Sequence, residues 1–486
     1  MHVHQPDDQL TAAPDRTLDR GSKLLIGVLV IAAFVMILNE TIMSVALPRL
    51  MEDLKITAST AQWLTTGFLL TMAVVIPITG YLFQRFTLRR VFIASMGIFS
   101  LGTLLAAIAP GFEVLLAGRV TQAAGTAIML PLLMTTVLRV VPAHKRGSMM
   151  GIISIVIAVA PAIGPTLSGT VLNALDWRWM FWLVLPIALA AFALGASLVK
   201  NFTTPIAIPL DLVSVLLSVF AFGGIVYGLS SIGHSAGEAS VPVWFPLAVG
   251  VTALVVFVRR QLSRQDNGLA LLDLRPFATP IFSIGLGMLS ISMMALFGAL
   301  ILLPLYLQNV RGLDTLTTGL LLLPGGLAMG VLSPIVGRIF DRFGPRVLVI
   351  PGATIVSSSL WLMTTLNSES ALPWVVAIHS LLMAGLATVM TPLMTSSLGS
   401  LPSELYSHGS AIFNTVQQLA GAAGTALFIT VMSSTAASRV AEGASELSAN
   451  QSGVHTAFLY GGAVSLVAIA ASFFIRKPNV VTLVKA

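Results

Sequence analysis

The sequence predicts an all-α polytopic membrane protein with fourteen transmembrane helices. Of its 486 residues, 56% are hydrophobic and only 9% are charged, whereas a soluble domain carries about 25% charged residues. Apolar runs of about 20 residues, the length that crosses a bilayer, recur along the whole chain. The basic residues fall mainly in alternate loops between these runs. A soluble enzyme is therefore excluded, and the lipid bilayer is the expected surroundings.

The predicted spans follow from the apolar runs in chain order. A polar tail of mixed charge, residues 1–23, comes first, and a shorter one, residues 476–486, comes last. The first apolar run is too long for the core of a signal peptide, so it is predicted to be a retained span that ends near Pro48. The predicted spans are residues 24–48, 59–83, 91–109, 112–140, 147–172, 178–198, 210–231, 241–258, 280–307, 315–338, 346–366, 371–399, 408–434 and 454–475.

The basic residues orient these spans. If the N-terminus is cytoplasmic, twenty of the 26 lysines and arginines fall inside, five fall outside, and Arg119 lies within a span. Lysine and arginine gather in cytoplasmic loops, so both termini are predicted to be cytoplasmic. The same loops account for the net charge of +7 without a nucleic-acid partner.

Two predicted cytoplasmic turns repeat, with Gly337 placed 257 positions after Gly80. Each closes a span with Pro-x-x-Gly and continues with an acidic or amide residue, an arginine, an aromatic residue and more arginine. Duplicated halves are typical of transporters. Two six-span bundles, residues 24–198 and 280–475, are therefore predicted, with an extra pair of spans inside 199–279. The repeated positions are Gly80, Gln84, Arg85 and Arg89 in the first turn and Gly337, Asp341, Arg342 and Arg346 in the second.

At these turns the chain resembles the major facilitator superfamily, and within it the fourteen-span drug:proton antiporters. Three further stretches carry the resemblance, which covers essentially everything after the tail. Residues 38–48 are similar to the first-span motif, and the fourth-span motif is matched by Arg119, Gln122 and Gly125. The fifth-span antiporter motif is matched by residues 160–169, which include Pro161, Gly164, Pro165 and Gly169.

The resemblance implies a major facilitator fold and a proton-coupled antiporter. Its substrates would be small amphipathic or lipophilic drugs, exported across the bacterial plasma membrane by alternating access. The sequence contains no cysteine, no phosphate-binding loop, no cluster with metal-ligand spacing and no nucleophile elbow. No cofactor, metal or catalytic residue is therefore expected, and an ion gradient must drive export. We expect a monomer.

The chain departs from the family pattern at several motif positions. Asn39 replaces the usual first-span aspartate and Glu40 follows it. Gln84 replaces the usual acid of the first turn, and Gln417 stands where many relatives place an arginine. Asp341 keeps its acid and is expected to form a charge cluster with the arginines of its own turn. Gln84 can only form neutral hydrogen bonds, so the first turn should hold more weakly and favour a cytoplasm-open state.

Two ionisable residues lie well inside predicted spans, Glu40 and Arg119. Such residues are costly in a membrane and usually functional. Both fall in the outer half of the bilayer, so they can pair if their helices face each other. We expect Glu40 to carry the proton and Arg119 to modulate it, although a static ion pair would look the same in sequence. His379, within the twelfth span, is either a packing residue or a second proton carrier.

Other polar, methionine and aromatic residues are candidates for a substrate cavity. Methionine surfaces adapt to many ligands, and uncharged polar groups in a membrane must find partners. The same residues on a lipid-facing side would have no such role. The proline and glycine residues of the fifth span indicate a kinked, closely packed helix or a flexing seam between the halves. The cavity candidates are Asn39, Trp63, Gln122, Met293, Met294, Phe297, Tyr306, Asn414, Gln417 and Gln418.

Two other functions fit the same sequence less well. A dedicated exporter of one metabolite or lipid would share the fold and the motifs. A membrane sensor or scaffold that transports nothing is disfavoured by the antiporter motif and by Glu40.

Overall fold

The computed structural model describes residues 20–199, 201, 205, 209–231, 242 and 244–475. Within these ranges it contains helices and no strand. Fourteen helical segments of the described chain are long and apolar enough to cross a membrane, which confirms the predicted fold class. The tails predicted at 1–23 and 476–486 lie outside the described residues, apart from the first turn of the first helix.

In the part of the chain that the structure describes, sixteen helices form the fourteen spans. A 3-10 turn at Ile76–Ile78, which contains Pro77, divides the second span into α2 and α3. A π-helical turn at Val219–Gly223 divides the seventh into α8 and α9, and another at Tyr306–Val310 extends α11. The helices are α1 (Arg20–Leu54), α2 (Ala58–Val75), α3 (Thr79–Arg85), α4 (Leu88–Ala107), α5 (Phe112–Val140), α6 (Arg146–Ala174), α7 (Trp179–Leu198), α8 (Leu212–Ser218), α9 (Gly224–Ser230), α10 (Trp244–Gln265), α11 (Pro280–Leu305), α12 (Thr315–Phe343), α13 (Arg346–Met363), α14 (Leu372–Gly399), α15 (Tyr406–Ala441) and α16 (Glu446–Ser472).

Several helices continue beyond the apolar run that predicted them. α1 does not end at Pro48 but reaches Leu54, and Arg49 pairs with Glu52 and Asp53 across this added turn, at 3.7 and 3.6 Å. Hydropathy detects only the part of a helix that lies in lipid, whereas charged pairs three and four residues apart extend it into water. The helix is therefore longer than the predicted span, whose end near Pro48 stays a prediction.

The inserted helices α8, α9 and α10 pack against both halves of the molecule. We call α1–α7 the N-half and α11–α16 the C-half. The π turn and α9 contact α2, and α9 also contacts α15. Trp63 of α2 stacks on Tyr227 of α9, with ring centroids 5.8 Å apart.

A polar network lies at the base of the inserted pair. Asp211 accepts hydrogen bonds from Arg260 at 2.8 and 2.9 Å, and these bonds hold the pKa of the Asp211 carboxyl well below its usual range. Gln261 donates to Ser214 at 2.8 Å and accepts from the backbone N–H of Leu272 at 3.2 Å. The inserted pair is thereby attached to the segment that leads into α11.

Candidate functional site

A cavity of about 500 Å³ lies between the two halves. The N-half lines it with α1, α2, α5 and α6, and the C-half lines it with α11, α12, α14 and α15. Among the described lining residues, Glu40 is the only carboxylate, and neither lysine nor arginine is present. This volume is within the range of sites for drug-sized ligands.

Half of the predicted cavity candidates line this space. Met293 and Phe297 line it from α11. Asn414, Gln417 and Gln418 line it from α15. Their amide groups have thioether partners: Gln417 lies 3.6 Å from the Met293 sulfur, and Asn414 donates to the Met134 sulfur at 3.2 Å.

The other five candidates lie elsewhere, each for an evident reason. Trp63 stacks on the inserted pair. The backbone of Met294 packs against Gly424 of α15. Tyr306 is fully buried and donates to the Asn367 carbonyl at 2.6 Å. The remaining two, Asn39 and Gln122, are fully buried beside Arg119.

Arg119 is bonded to Asn39 and not to Glu40. Its Nη1 donates to the side chain of Asn39 at 3.0 Å, to the Asn39 carbonyl at 3.3 Å and to Gln122 at 3.0 Å. The guanidinium carbon also lies 4.3 Å from the centre of the Phe68 ring. Among the described residues, no ion pair within 4.0 Å joins Glu40 to Arg119, although their charges interact at longer range.

The separation of Glu40 from Arg119 follows from helix geometry. Consecutive helical residues point about 100° apart. Asn39 therefore occupies the buried face of α1 toward α5, and Glu40 turns toward the cavity. The predicted direct pair is replaced by a neutral clamp on the arginine, which leaves the carboxylate available to the cavity.

The proline- and glycine-rich segment of the fifth span is part of one continuous helix, α6. Pro161 lines the cavity. Gly164 faces α1 so closely that a Cβ atom there would lie 2.3 Å from Oγ1 of Thr41. Gly169, by contrast, has open space beside it, and Pro165 lies between these glycines. The segment is closely packed as predicted at Gly164, while its role as a flexing seam stays a prediction.

The second repeated turn contacts the N-half at the beginning of α6. Oδ1 of Asp341 accepts a hydrogen bond from the backbone N–H of Gly147 at 2.8 Å. Oδ2 accepts from the N–H and the hydroxyl of Ser148, at 2.9 and 2.6 Å. A helix N-terminus is a natural site for an anion. We call these contacts the second latch.

The predicted charge cluster around Asp341 does not form. Among the described residues, Asp341 has no arginine within ion-pair distance, because its oxygens are taken by α6. Arg342 lies over the Phe343 ring at 5.2 Å. Arg346 donates to the carbonyls of Phe473 and Ile475 after the end of α16.

The first repeated turn contacts the C-half at the beginning of α15. The Gln84 amide lies 2.6 Å from Nε2 of His408. The backbone N–H of Asp273 donates to Nδ1 of the same ring at 3.2 Å. The N–H of Asp273 uses Nδ1 as its acceptor, so in a neutral imidazole Nε2 carries the hydrogen. The Gln84 atom 2.6 Å from Nε2 is the amide nitrogen, so the pair forms a hydrogen bond when the amide is turned to place its oxygen there as the acceptor. We call these contacts the first latch, and its neutral hydrogen bond is the kind predicted for Gln84.

The arginines of the two turns have matching positions. Arg85 lies over Phe86 at 5.9 Å, as Arg342 lies over Phe343. Arg89 donates to the Ala196 carbonyl near the end of α7 at 3.1 Å, as Arg346 does after the end of α16. A cation near the free carbonyls of a helix C-terminus is favourable. The repeat therefore keeps the geometry of the arginines even where the acid is lost.

The two latches join the halves at the predicted cytoplasmic face. Arg146 also donates to the Tyr406 hydroxyl at 3.1 Å, and Thr391 donates to Ser154 at 2.9 Å. The cavity lies on the other side of these contacts, since the lining residues of α12 precede Gly337. The face predicted to be cytoplasmic is therefore closed in this structure, whereas Gln84 was expected to favour a state open at that face.

The expectation for Gln84 did not take its partner into account, and the preferred resting state stays a prediction. His408-Gly409-Ser410 at the beginning of α15 parallels Arg146-Gly147-Ser148 at the beginning of α6. This similarity is the signal in the sequence that could have identified His408. Asp273 carries no comparable signal, because it acts here through its backbone N–H.

The fourteen spans, the two halves and the cavity between them define a membrane transporter of small molecules. The chain belongs to the Major Facilitator Superfamily, which matches residues 29–425.

The chain is similar to several named relatives. It is 42% identical over 458 residues to the lincomycin resistance protein LmrB of Listeria monocytogenes, covering 93% of this chain and 96% of that protein. It is 31% identical over 407 residues to the multidrug export protein EmrB of Haemophilus influenzae, covering 83% and 79%. The crystal structure of the human organic anion transporter MFSD10 (TETRAN) shares the fold alone, with a TM-score of 0.66 and 14% identity, covering 93% of this chain and 99% of that one.

Proposed function

We propose that this protein is a proton-coupled antiporter that exports amphipathic or lipophilic drugs across the bacterial plasma membrane. The observation that carries the proposal is the position of Glu40, the one carboxylate among the described residues that line the cavity. Its neighbour Arg119 is already bonded to Asn39 and Gln122. Relatives named for lincomycin resistance and for multidrug export support a drug as the substrate.

The exchange follows from competition for one carboxylate. The Glu40 carboxylate can bind a proton or pair with a cationic group of a drug. Once it is protonated it is neutral, so it attracts the cation only weakly. Arrival of a drug from the cytoplasm releases the proton, and return of a proton from outside releases the drug. Two bundles that rock about a site near the bilayer midplane would carry the cavity between the two faces.

The organisation of the chain is part of the proposal. Residues 24–198 and 280–475 act as the two rocking bundles, and 199–279 carry the inserted pair. Both termini face the cytoplasm, and the transporting unit is a monomer.

Efflux from proteoliposomes under an imposed pH gradient tests the coupling. We expect transport of lincomycin, or of other members of a chemically varied panel, to stop with a protonophore. Glu40→Gln should abolish coupled efflux because glutamine cannot carry a proton. The matched control is Glu113→Gln, the same substitution at an exposed acid in the first turn of α5.

Three outcomes would contradict parts of the proposal. Efflux that persists in the absence of a proton gradient would remove the coupling. Wild-type pH-dependent efflux by Glu40→Gln would assign the proton to another residue. A panel in which only one metabolite is exported would support the dedicated exporter instead.

A further inference from the structure

Two buried polar atoms on the C-half wall of the cavity have no hydrogen-bond partner among the described residues. One is Nδ1 of His379 on α14, and the other is Oγ1 of Thr318 on α12. Both residues line the cavity, and their side chains are 2% and 3% exposed. Most buried polar groups have a hydrogen-bond partner, so two atoms without one beside a cavity call for an explanation.

The Thr318 hydroxyl differs from another threonine of the same cavity. Thr126 donates to the Gln122 carbonyl one turn earlier at 2.9 Å, which is the usual arrangement for a threonine inside a helix. Thr318 lies in the first turn of α12, and its backbone N–H donates to the Asp314 carbonyl four residues earlier at 3.0 Å. Its hydroxyl does not share that carbonyl and has no partner among the described residues.

The imidazole of His379 is held in one orientation. A Cβ atom on Gly325 of α12 would lie 2.4 Å from Cδ2 and 2.6 Å from Nε2, so the glycine makes room for this edge of the ring. The Leu322 carbonyl of the same helix is the hydrogen-bond partner of the ring. Since Nδ1 is unpaired, Nε2 carries the hydrogen toward Leu322, and Nδ1 is left as an acceptor.

The amides next to this wall are weakly engaged. Gln417 and Gln418 have the sulfurs of Met293 and Met72 as partners, at 3.6 and 3.9 Å. A thioether is a weak acceptor. Both glutamines line the cavity, so a stronger hydrogen-bonding ligand would compete easily for them.

We propose that His379 and Thr318 form a hydrogen-bonding subsite for the transported molecule, opposite the carboxylate of Glu40 on the N-half wall. The subsite selects an amphiphile that carries a basic amine at one end and hydroxyl or amide N–H donors at the other. This assignment rests on the proposed export function and specifies its substrate class.

The selectivity follows from the cost of unpaired groups. A ligand with hydroxyl or N–H donors satisfies Nδ1 of His379 and the Thr318 hydroxyl when it fills the cavity. A ligand of equal size without donors excludes water and leaves them unpaired, which weakens binding about tenfold for each group. A rim of methionines and leucines adapts to the rest of either ligand.

Two cationic probes test the subsite by isothermal titration of the purified full-length protein in detergent. Lincomycin has a basic amine, an amide and several hydroxyls, whereas tetraphenylphosphonium is a cation with no hydrogen-bond donor. Thr318→Val and His379→Phe remove the polar atom and keep side-chain bulk. Each should weaken lincomycin binding about tenfold. Each should strengthen tetraphenylphosphonium binding by up to about tenfold, because this probe then no longer buries an unpaired polar atom. The matched control is Thr126→Val, whose hydroxyl is already paired and which should affect both probes alike.

Three results would overturn the subsite. Equal weakening of both probes by Thr318→Val and His379→Phe would mean that these residues only maintain the cavity. A shift in the pH dependence of export of both probes by His379→Phe would make His379 a proton carrier. Failure of the wild type to bind lincomycin while it still exports tetraphenylphosphonium under a proton gradient would reject the substrate class and leave the proposed export function standing.

Discussion

The turn between α3 and α4 and the turn between α12 and α13 occupy equivalent positions in the two halves, and each contacts the beginning of a helix in the other half. In the second latch, Asp341 accepts three hydrogen bonds from Gly147 and Ser148 of α6. In the first latch, Gln84 has one neutral bond to His408. Bonds to a charged group contribute about 1.5–3 kcal/mol and neutral ones about 0.5–1.5 kcal/mol. The comparison teaches that one closed face is held by two unequal contacts.

The two latches also differ in the segments of the chain that they connect. The second latch joins α12 directly to α6. The first latch passes through His408 to the backbone of Asp273, in the segment that Gln261 of the inserted pair also holds through Leu272. A structural change at the first latch can therefore reach α10 of the inserted pair. A structural change at the second latch affects only the contact between the N-half and the C-half.

The largest expected effect comes from the repeated glycines. A Cβ atom at Gly337 would lie 2.3 Å from the backbone oxygen of Gly147, which cannot move without shifting α6. At Gly80 it would meet the Nδ1 atom of His408 at 2.7 Å. This atom belongs to a side chain, which can shift without moving a helix but only by weakening its own hydrogen bonds. Overpacking costs about 1–3 kcal/mol. We expect Gly337→Ala to lower the ratio of closed to open molecules tenfold or more, which is about 1.4 kcal/mol or above, and Gly80→Ala to lower this ratio several-fold less.

Distances between spin labels measure the closed population. The chain is free of cysteine, so introduced cysteines label without interference. Ala143→Cys with Phe343→Cys reports the second latch, and Arg90→Cys with Glu404→Cys reports the first. Equal effects of the two glycine variants would remove the distinction between a backbone contact and a side-chain contact.

Asp341→Asn should have the next largest effect. Asparagine has one acceptor oxygen in place of two and no charge, so most of the interaction with the N-terminus of α6 is lost. We expect a loss of about 1.5–3 kcal/mol and a shift of the label distances toward a separated cytoplasmic face, with slower efflux. Asp314→Asn is the control, since Asp314 caps the opposite end of the same helix. An unchanged distance distribution in Asp341→Asn would show that the acid does not hold this face.

Gln84→Met should have a smaller effect in the same direction. Methionine keeps the length of the side chain but removes the acceptor for Nε2 of His408. One neutral bond is lost, which is about 1 kcal/mol. In a double-mutant cycle, Gln84→Met should add little to His408→Ala, because both remove the same bond. Additive effects would mean that the two side chains act independently.

Gln84→Asp should have the smallest effect, with the opposite sign. The carboxylate gives His408 a charge-assisted bond, which is stronger than a neutral one, but burial of the charge offsets part of the gain. We expect a stabilisation below about 1 kcal/mol, seen as a narrower distance distribution for the first label pair. Separation of the labels instead would show that the glutamine is better suited to His408 than the acid of the family pattern.

Much of this architecture could be predicted from the sequence because it depends on periodic properties. Spans, their number and the repeated turns are visible in hydropathy and in the recurrence of Gly80 at Gly337. Helix ends were less accessible, as α1 shows by continuing past Pro48. They depend on pairs such as Arg49 with Asp53, which hydropathy does not register.

Hydrogen-bond partners that lie far apart in the chain were the part of the site that could be predicted least from the sequence. The sequence placed Glu40 and Arg119 at similar depth, but depth does not specify which face of α1 is buried. Asn39 was interpreted as a cavity residue, yet it holds Arg119. Asp341 was assigned to arginines nearby in sequence, whereas its partners on α6 are almost two hundred residues away. Local charge predicts that a group needs a partner and not where the partner lies.

The absence of side chains at the closest point of the second latch has a thermal consequence. Closing the second latch fixes only the short side chains of Asp341 and Ser148. Where Gly337 meets Gly147 it fixes no side chain at all, whereas closing the first latch fixes the long side chain of Gln84. Ordering such a side chain costs about 1.5–2 kcal/mol of entropy at room temperature, and this cost falls on cooling. The balance between the two latches is therefore temperature-dependent. Cooling stabilises the glutamine contact more than the glycine contact. The relative contributions of the two latches to the stability of the closed state therefore differ between a low and a high growth temperature.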